Sequence, residues 1–288
     1  MVSIIHVQLF LVLLCSTLLG FVQGAPLKER GVSGLSGITF NAYNSDGSCM
    51  STTDIHAAIR KMKNLGISNI RTYSQECNQL SNILNAIDQL GGGIDVLAAV
   101  WIDGSSNDGK EIEKLKSVLH QNKGLSAING ILVGNEVLFK GTLSPSALEN
   151  KIKQVKAVSG GIKVGTSDVA TAFSRNIISA SDFLGVSIYP FFTGVSINNA
   201  VSSLNTQYQN FKKLAGSKQV FITETGWPSA GSSNQNAQAS MENAKKYVNG
   251  LSKSGLPYYY FEWQDSKWKG DGVEQHFGFM SSSDQSKF

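Results

Sequence analysis

The chain has 288 residues, 41% hydrophobic and 16% charged, which suits an ordinary globular protein with one barrel-sized core and excludes a disordered or fibrous chain. A net charge of +4, with no basic run longer than Lys212-Lys213 or Lys245-Lys246, offers no footprint for nucleic acid. Four scattered histidines (His6, His56, His120, His276) and no Cys/His cluster at ligand spacing argue against a metal, and no cofactor is expected.

The N-terminus stands apart. Ile4 to Val22 is nearly continuous apolar sequence, and Val22-Gln-Gly24 before Ala25 offers a cleavage site, so residues 1–24 read as a secretory signal. The region ahead of the apolar run has only His6 and no Lys or Arg, so an uncleaved anchor is the alternative. Residues 25–33, with Lys28-Glu-Arg30, read as a short pro-segment or linker, and no second apolar run reaches membrane-spanning length. Cys15 falls inside the signal. Cys49 and Cys77 remain, and two thiols in an oxidising compartment suggest one bridge, although sequence alone does not establish the pairing.

From Gly34 to Phe288 the chain alternates short apolar, β-branched runs with stretches of helical spacing. The expected strands are Ser36 to Tyr43, Ser68 to Tyr73, Ile94 to Trp101, Ile128 to Glu136, Lys163 to Ser167, Phe183 to Tyr189, Val220 to Glu224 and Pro257 to Trp263. Between the first two, Ile55, Ile59, Met62 and Leu65 form a helical stripe behind Thr52-Thr53-Asp54, a candidate cap. Leu80, Ile83, Leu84, Ile87 and Leu90 form the second stripe, stopped by Gly91-Gly-Gly93. Ile112, Leu115, Val118 and Leu119 mark the third. Ser144-Pro145 opens the fourth, with Leu148, Ile152 and Val155 facing inward. Weaker patterns cover Ala172 to Ala180 and Ala237 to Leu251, flanking a clear sixth helix through Ala200, Leu204, Tyr208 and Phe211. The eighth helix is expected to be short or absent. Eight such units over about 250 residues imply an α/β fold, a single (β/α)₈ TIM barrel over residues 34–288. The runner-up, a doubly wound open sheet, lacks a Gly-x-Gly-x-x-Gly after its first strand.

Two strands finish in a carboxylate. Ile131-Leu-Val-Gly-Asn-Glu136 ends the fourth and Val220-Phe-Ile-Thr-Glu224 the seventh, at the barrel face where chemistry is usually placed. Each alone could be a structural ion-pair member. On a ring of roughly 7 to 8 Å radius, positions three strands apart lie about 14 Å across, and inward-reaching Glu side chains leave roughly 4 to 6 Å. That is closer to the retaining than to the inverting spacing of glycosidase carboxylates. One must carry a proton at working pH while the other is ionised.

Val220-Phe-Ile-Thr-Glu-Thr-Gly-Trp-Pro-Ser229 resembles the nucleophile signature of glycoside hydrolase family 17, the β-1,3-glucan-cleaving enzymes of plants and fungi, and Val133-Gly-Asn-Glu136 is similar to its acid/base motif. The likeness continues through Ile70-Arg-Thr-Tyr73, Ile188-Tyr-Pro-Phe-Phe192, Phe261-Glu-Trp-Gln-Asp265, Trp268-Lys269 and Glu274-Gln-His-Phe-Gly278. Gly47-Ser-Cys49 and Glu76-Cys-Asn78 look like the fungal cell-wall branch, which implies a Cys49–Cys77 bridge. By this resemblance Glu136 is the acid/base, Glu224 the nucleophile, and Asn135 a partner for the 2-hydroxyl of the sugar being cleaved. It implies a secreted or cell-wall monomer whose partner is β-1,3-glucan. Tyr73 and Glu262, at strand ends, are candidates to orient the nucleophile. Trp227, Tyr189, Phe192 and Trp263 are candidates to stack on sugar faces. Asp265, Lys269 and Glu274 could form a charged network beside Glu224 or a solvated ion-pair cluster. His56 and His276 are not expected to be catalysts. Only Thr193-Gly-Val-Ser196 separates Phe192 from the sixth helix, so no extra subdomain is expected there, and an open acceptor side makes transfer of the cut glucan to another sugar the expectation, with an endo-β-1,3-glucanase that transfers to water, or a catalytically idle glucan-binding wall protein, as the alternatives.

Overall fold

Eight parallel strands close into a barrel in sequence order, from β1 back to β8. They are β1 (Gly37–Thr39), β2 (Asn69–Arg71), β3 (Asp95–Val100), β4 (Ile128–Asn135), β5 (Val164–Asp168), β6 (Phe183–Ser187), β7 (Gln219–Thr225) and β8 (Tyr258–Tyr260). This computed structural model describes residues 34–121 and 124–288, so the expected signal and pro-segment lie outside the described residues. All eight expected strands are present, several of them shorter at their C-terminal ends than the apolar runs suggested. Residues just past each strand leave the ladder to line the cleft above it.

The strands' period of two divides the apolar side chains between two cores. Leu97, Ala99, Leu132, Phe183, Phe221 and Tyr259 form a separate cluster that fills the barrel interior. Their neighbours Val96, Ala98, Val100, Ile131, Val133, Leu184, Val186 and Ile222 face outward and join the helices' apolar stripes in one large cluster. Phe183 can occupy the interior because two adjoining strands carry glycine. A Cβ on Gly165 would lie 2.2 Å from the Phe183 carbonyl oxygen, and one on Gly130 would lie 2.8 Å from its ring.

Among the described residues seven α-helices pack outside: α1 (Thr52–Asn64), α2 (Gln79–Gln89), α3 (Asp108–Gln121), α4 (Pro145–Val158), α5 (Arg175–Ala180), α6 (Ile197–Ala215) and α7 (Met241–Ser252). The cap of α1 is Ser51 rather than the expected Thr52-Thr53-Asp54. Its hydroxyl accepts the Asp54 N–H and donates to the Asp54 carboxylate, so the two threonines fall inside the first turn. Ser144, Ser174 and Ser240 cap α4, α5 and α7 in the same way, which is why the last two begin later than the apolar patterns suggested. On α2 the stripe Leu80, Ile83, Leu84 and Ile87 is buried, each side chain contributing about 1.5–3 kcal/mol.

Among the described residues no α-helix follows β8. The final segment takes that place: Met280 bridges to Gln264 and Ser286, the Phe288 ring packs on Tyr260 and Phe279, and Lys61 of α1 pairs with Asp284. No helix among the described residues is long and apolar enough to cross a membrane. The insertion-free stretch before α6 is as short as the sequence implied, with α6 beginning at Ile197.

Candidate active site

Register irregularities occur at the C-terminal ends of three strand pairs, between Leu132 and Asn135, Val186 and Ser187, and Ile222 and Thr225. Such bulges re-aim side chains at barrel rims, and here they turn Asn135, Glu136, Ser187 and Glu224 into one cleft of about 1480 Å³. The cleft is also lined by Tyr73, Tyr189, Phe192, Glu262, Lys269 and Glu274.

Glu224 on β7 is buried and fully engaged. Arg71 Nη1 donates to its Oε1 at 2.6 Å, Tyr73 Oη to the same oxygen at 2.9 Å, and Tyr189 Oη to Oε2 at 2.8 Å. A carboxylate accepting from three donors, one a guanidinium, is fixed in orientation. Arg71 does more than neutralise it. The fork also donates through Nη1 to the Thr223 carbonyl at 3.0 Å and through Nη2 to Asn135 Oδ1 at 2.7 Å, and it lies 4.3 Å from the Tyr73 ring centroid. Because Asn135 Oδ1 accepts from Arg71, its amide nitrogen is the end left to donate into the cleft. Arg71 therefore links β2, β4 and β7 around the reacting centre. Arg71 lies within the motif Ile70-Arg-Thr-Tyr73, which assigns it no role. The available signal was a charged residue inside a run buried on both sides, which needs a buried partner.

Glu136 lies one residue beyond β4, with φ 56, after Gly134 at φ 71. A non-glycine residue in the left-handed region costs about 1–2 kcal/mol, so the neighbouring structure must hold it there. Its N–H donates to the Ser167 carbonyl at 2.9 Å, its carbonyl accepts from the Lys140 N–H at 2.9 Å, and buried Asp168 accepts the Leu138 N–H at 2.9 Å. Burial pushes the Glu136 carboxyl upward, the charge of Glu224 adds to this, and Lys140, 3.3 Å away, pulls it back. An acid of raised pKa beside an engaged carboxylate suits one proton donor and one nucleophile.

Glu262, just past β8, is buried and pushed up to about 7, burial outweighing its 2.6 Å pair with Lys269. Glu274 is also raised by burial, with Lys269 opposing and the charge of Glu224 adding to the rise. Lys269 and Glu274 thus sit in the cleft with Glu262. Asp265 does not. It accepts from Lys287 at 2.7 Å and from the Gly278 N–H, behind β8, which corrects the expected grouping. The chemical reason is long-range: Lys287, 22 residues away, supplies a buried cation that the local motif could not reveal.

Two aromatic expectations are corrected as well. Trp227 is 0% exposed, its indole N–H donating to the Gln238 carbonyl and its ring packed against Phe191 and Tyr247, so no sugar can reach it. Trp263 is buried in a stack with Phe279 outside the cleft lining. Phe192, by contrast, is 46% exposed at the cleft edge, backed by Tyr189 and Phe277. Three further exposed aromatic rings line the cleft without having been singled out, Trp101, Phe139 and Trp268. The Cys49–Cys77 disulfide closes the wall beside Tyr43, which donates to Glu76 and packs against Trp268. Among the described residues no group of three or more His, Cys, Asp or Glu side chains could hold a metal ion.

A parallel eight-stranded barrel carrying a raised glutamic acid after β4 and a carboxylate clamped by Arg and two Tyr on β7 defines a barrel-type glycoside hydrolase. The chain belongs to glycoside hydrolase family 17, and residues 37–278 match the family model described as the BtgE/BtgC glycoside hydrolase domain. It is 34% identical to a family 17 β-1,3-glucanosyltransferase from Rhizomucor miehei, whose active-site mutant in complex with laminaritriose superimposes with a TM-score of 0.80, covering 88% of this chain and 95% of that one. It is 28% identical to a glucan 1,3-beta-glucosidase of Saccharomyces cerevisiae, over 89% of this chain and 91% of the relative. With a putative glucan endo-1,3-beta-glucosidase of Aspergillus niger it shares 31% identity over 74% of its length but spans only 36% of that longer protein.

Proposed function

We propose that the protein is a retaining β-1,3-glucan-active enzyme that transfers the cut chain to another glucan, acting outside the cell or in the wall. The observation that carries the reading is the unequal pair: Glu136, raised by burial, and Glu224, held by Arg71, Tyr73 and Tyr189 in the same cleft. Glu136 donates its proton to the glycosidic oxygen while Glu224 attacks the anomeric carbon, giving a glycosyl-enzyme ester and a freed sugar. Glu136, now the carboxylate, takes the proton from an incoming hydroxyl, whose oxygen displaces Glu224. Asn135 has its amide turned to the 2-hydroxyl of the reacting sugar. The ester removes the negative charge of Glu224, and with it one cause of the raised Glu136 pKa, so the same carboxyl is better suited to act as a base in the second step.

Transfer is favoured over hydrolysis by the exposed rings at the cleft edge, Phe139 at 65% and Phe192 at 46%, which offer an acceptor sugar apolar surface that water cannot use. The similar transferase supports the same reading. The names of the yeast and Aspergillus relatives favour a second reading, in which water is the acceptor. Incubation with laminari-oligosaccharides separates them. Products longer than the substrate support transfer, only shorter products support hydrolysis, and an unchanged substrate contradicts both. Glu136, Glu224 and Asn135 are assigned these roles; Arg71, Tyr73 and Tyr189 position Glu224, and Arg71 also positions Asn135.

A further inference from the structure

Glu136 follows β4 and Glu224 lies on β7, so the pair divides the barrel rim into two arcs. The shorter arc, above β5 and β6, carries Phe192 and the short link to α6, the acceptor side of the reading above. The longer arc runs over β8, β1, β2 and β3, and that reading gives it no ring that stacks on sugar. Its cleft lining nevertheless includes Tyr43, Trp268 and the Cys49–Cys77 disulfide.

Trp268 is 46% exposed, yet its ring is anchored before any ligand arrives. Gly47, at φ 88, packs against it so closely that a Cβ there would lie 3.0 Å from Trp268 Cβ and Cγ. The Tyr43 ring meets the indole edge-on, with 6.2 Å between centroids and 74° between planes. Lys269 pairs with Glu262 at 2.6 Å and keeps its Nζ 5.7 Å from the indole centroid. The loop that carries Tyr43 and Gly47 is tied twice to the loop after β2, by the disulfide and by the Tyr43 hydroxyl donating to Glu76. A ring fixed in this way loses little conformational freedom when something stacks on it. A flat apolar face bordered by Glu76 and Lys269 matches a pyranose, which presents C–H surface with hydroxyls around its edge.

We propose that Trp268, steadied by Gly47 and Tyr43, is the stacking platform of a remote donor subsite, at least one sugar beyond the one held on Glu224. This rests on the glucan-cleaving reading above. The sugar on Glu224 is met by Asn135, Tyr73 and Tyr189, whereas Trp268 lies further along the rim, past the Glu262–Lys269 pair and beside the loop after β1. The ring therefore grips the part of the glucan that stays on the enzyme in the glycosyl-enzyme, and not the sugar that departs or enters. Its contact favours donors long enough to reach it and adds no covalent step.

The test measures kcat/KM of the wild-type protein, Trp268→Ala and Trp268→Leu on a series of nitrophenyl β-glycosides carrying one to five β-1,3-linked glucose units. Leucine keeps apolar packing against Gly47 but removes the flat face, so it decides the matter if the alanine variant folds poorly. On the longest donors the variants are expected to lose about three- to tenfold, and the loss should vanish below the chain length that reaches the ring. A loss of equal size at every chain length, or no loss in Trp268→Leu at any length, would overturn the proposal. A wild-type protein inactive on every donor would instead remove the glucan-cleaving reading itself.

Discussion

Lys140 gives a quantitative handle on the acid. Its Nζ lies 3.3 Å from Glu136 Oε2, with the lysine side chain 46% and the glutamate side chain 18% exposed. Two unit charges at that distance interact by about 1.3 kcal/mol at the dielectric constant of water. Exposure of the lysine and screening by salt reduce the net effect to about 0.3–1 kcal/mol. Dividing by 1.36 kcal/mol per pH unit gives a shift of about 0.2–0.7 units. The sign follows from the charge: Lys140 favours the ionised carboxyl, so Lys140→Met raises the Glu136 pKa further. The first step needs the protonated acid, and activity falls as pH rises through that pKa. The alkaline limb of kcat/KM should therefore move upward by about half a unit in the variant. Raising the salt concentration should move the wild-type limb in the same direction and the variant's much less. The other groups acting on Glu136, the Glu224 charge and the Ser187 hydroxyl, are unchanged by the substitution. A limb that stays in place, or moves to lower pH, would refute the assignment of Glu136 as the titrating acid.

Other perturbations test separate parts of the site. Arg71→Met leaves Glu224 buried without its cation, which should cost about 3–5 kcal/mol. A calorimetric melting temperature roughly 6–20 °C lower, together with a hundredfold or greater loss of kcat, is expected, and a variant of unchanged stability contradicts the buried link. Glu262 is raised from 4.5 to about 7, so the folded state holds its proton more tightly than the unfolded chain. The stability it contributes is full below about pH 4.5 and declines as pH climbs towards 7, so Glu262→Gln should flatten that part of the melting profile, and a profile parallel to wild type would count against it. Cys49→Ser with Cys77→Ser opens a loop of sequence separation 28, worth about 3–4 kcal/mol in the chain-entropy model. Thiol titration of the denatured, unreduced protein should find neither cysteine free; two free thiols from these positions would deny the bridge.

The strands were legible because a parallel barrel strand is buried on both faces and reads as an apolar run, and because glycine, proline or a serine cap punctuates each crossover. Glu136 and Glu224 stood out as charges where such runs stop. What the sequence concealed depends on contacts distant along the chain. Trp227 and Phe192 look alike in their motifs, yet one is sealed by Phe191, Tyr247 and the Gln238 carbonyl while the other has nothing over its outer face. Asp265 is adjacent in sequence to the cleft residues but is drawn behind β8 by Lys287. Arg71 was visible as a charge within β2, but its three-strand reach appears only once β2, β4 and β7 share one barrel. Local rules also missed the α1 cap by one residue, since Ser51, Thr52, Thr53 and Asp54 all have capping chemistry and the packing of Ile55 and Ile59 sets the start.

The division of labour between the two glutamates is tested most directly by azide rescue, reading the anomeric configuration of the product by proton NMR with an activated β-glucoside donor. Glu224→Ala leaves a gap where azide can attack from the nucleophile's face, and the product should be the inverted α-azide. Glu136→Ala should still form the glycosyl-enzyme with so good a leaving group, and azide should then give the retained β-azide. Reversed configurations, or either variant cleaving unactivated glucan at near the wild-type rate, would contradict the account.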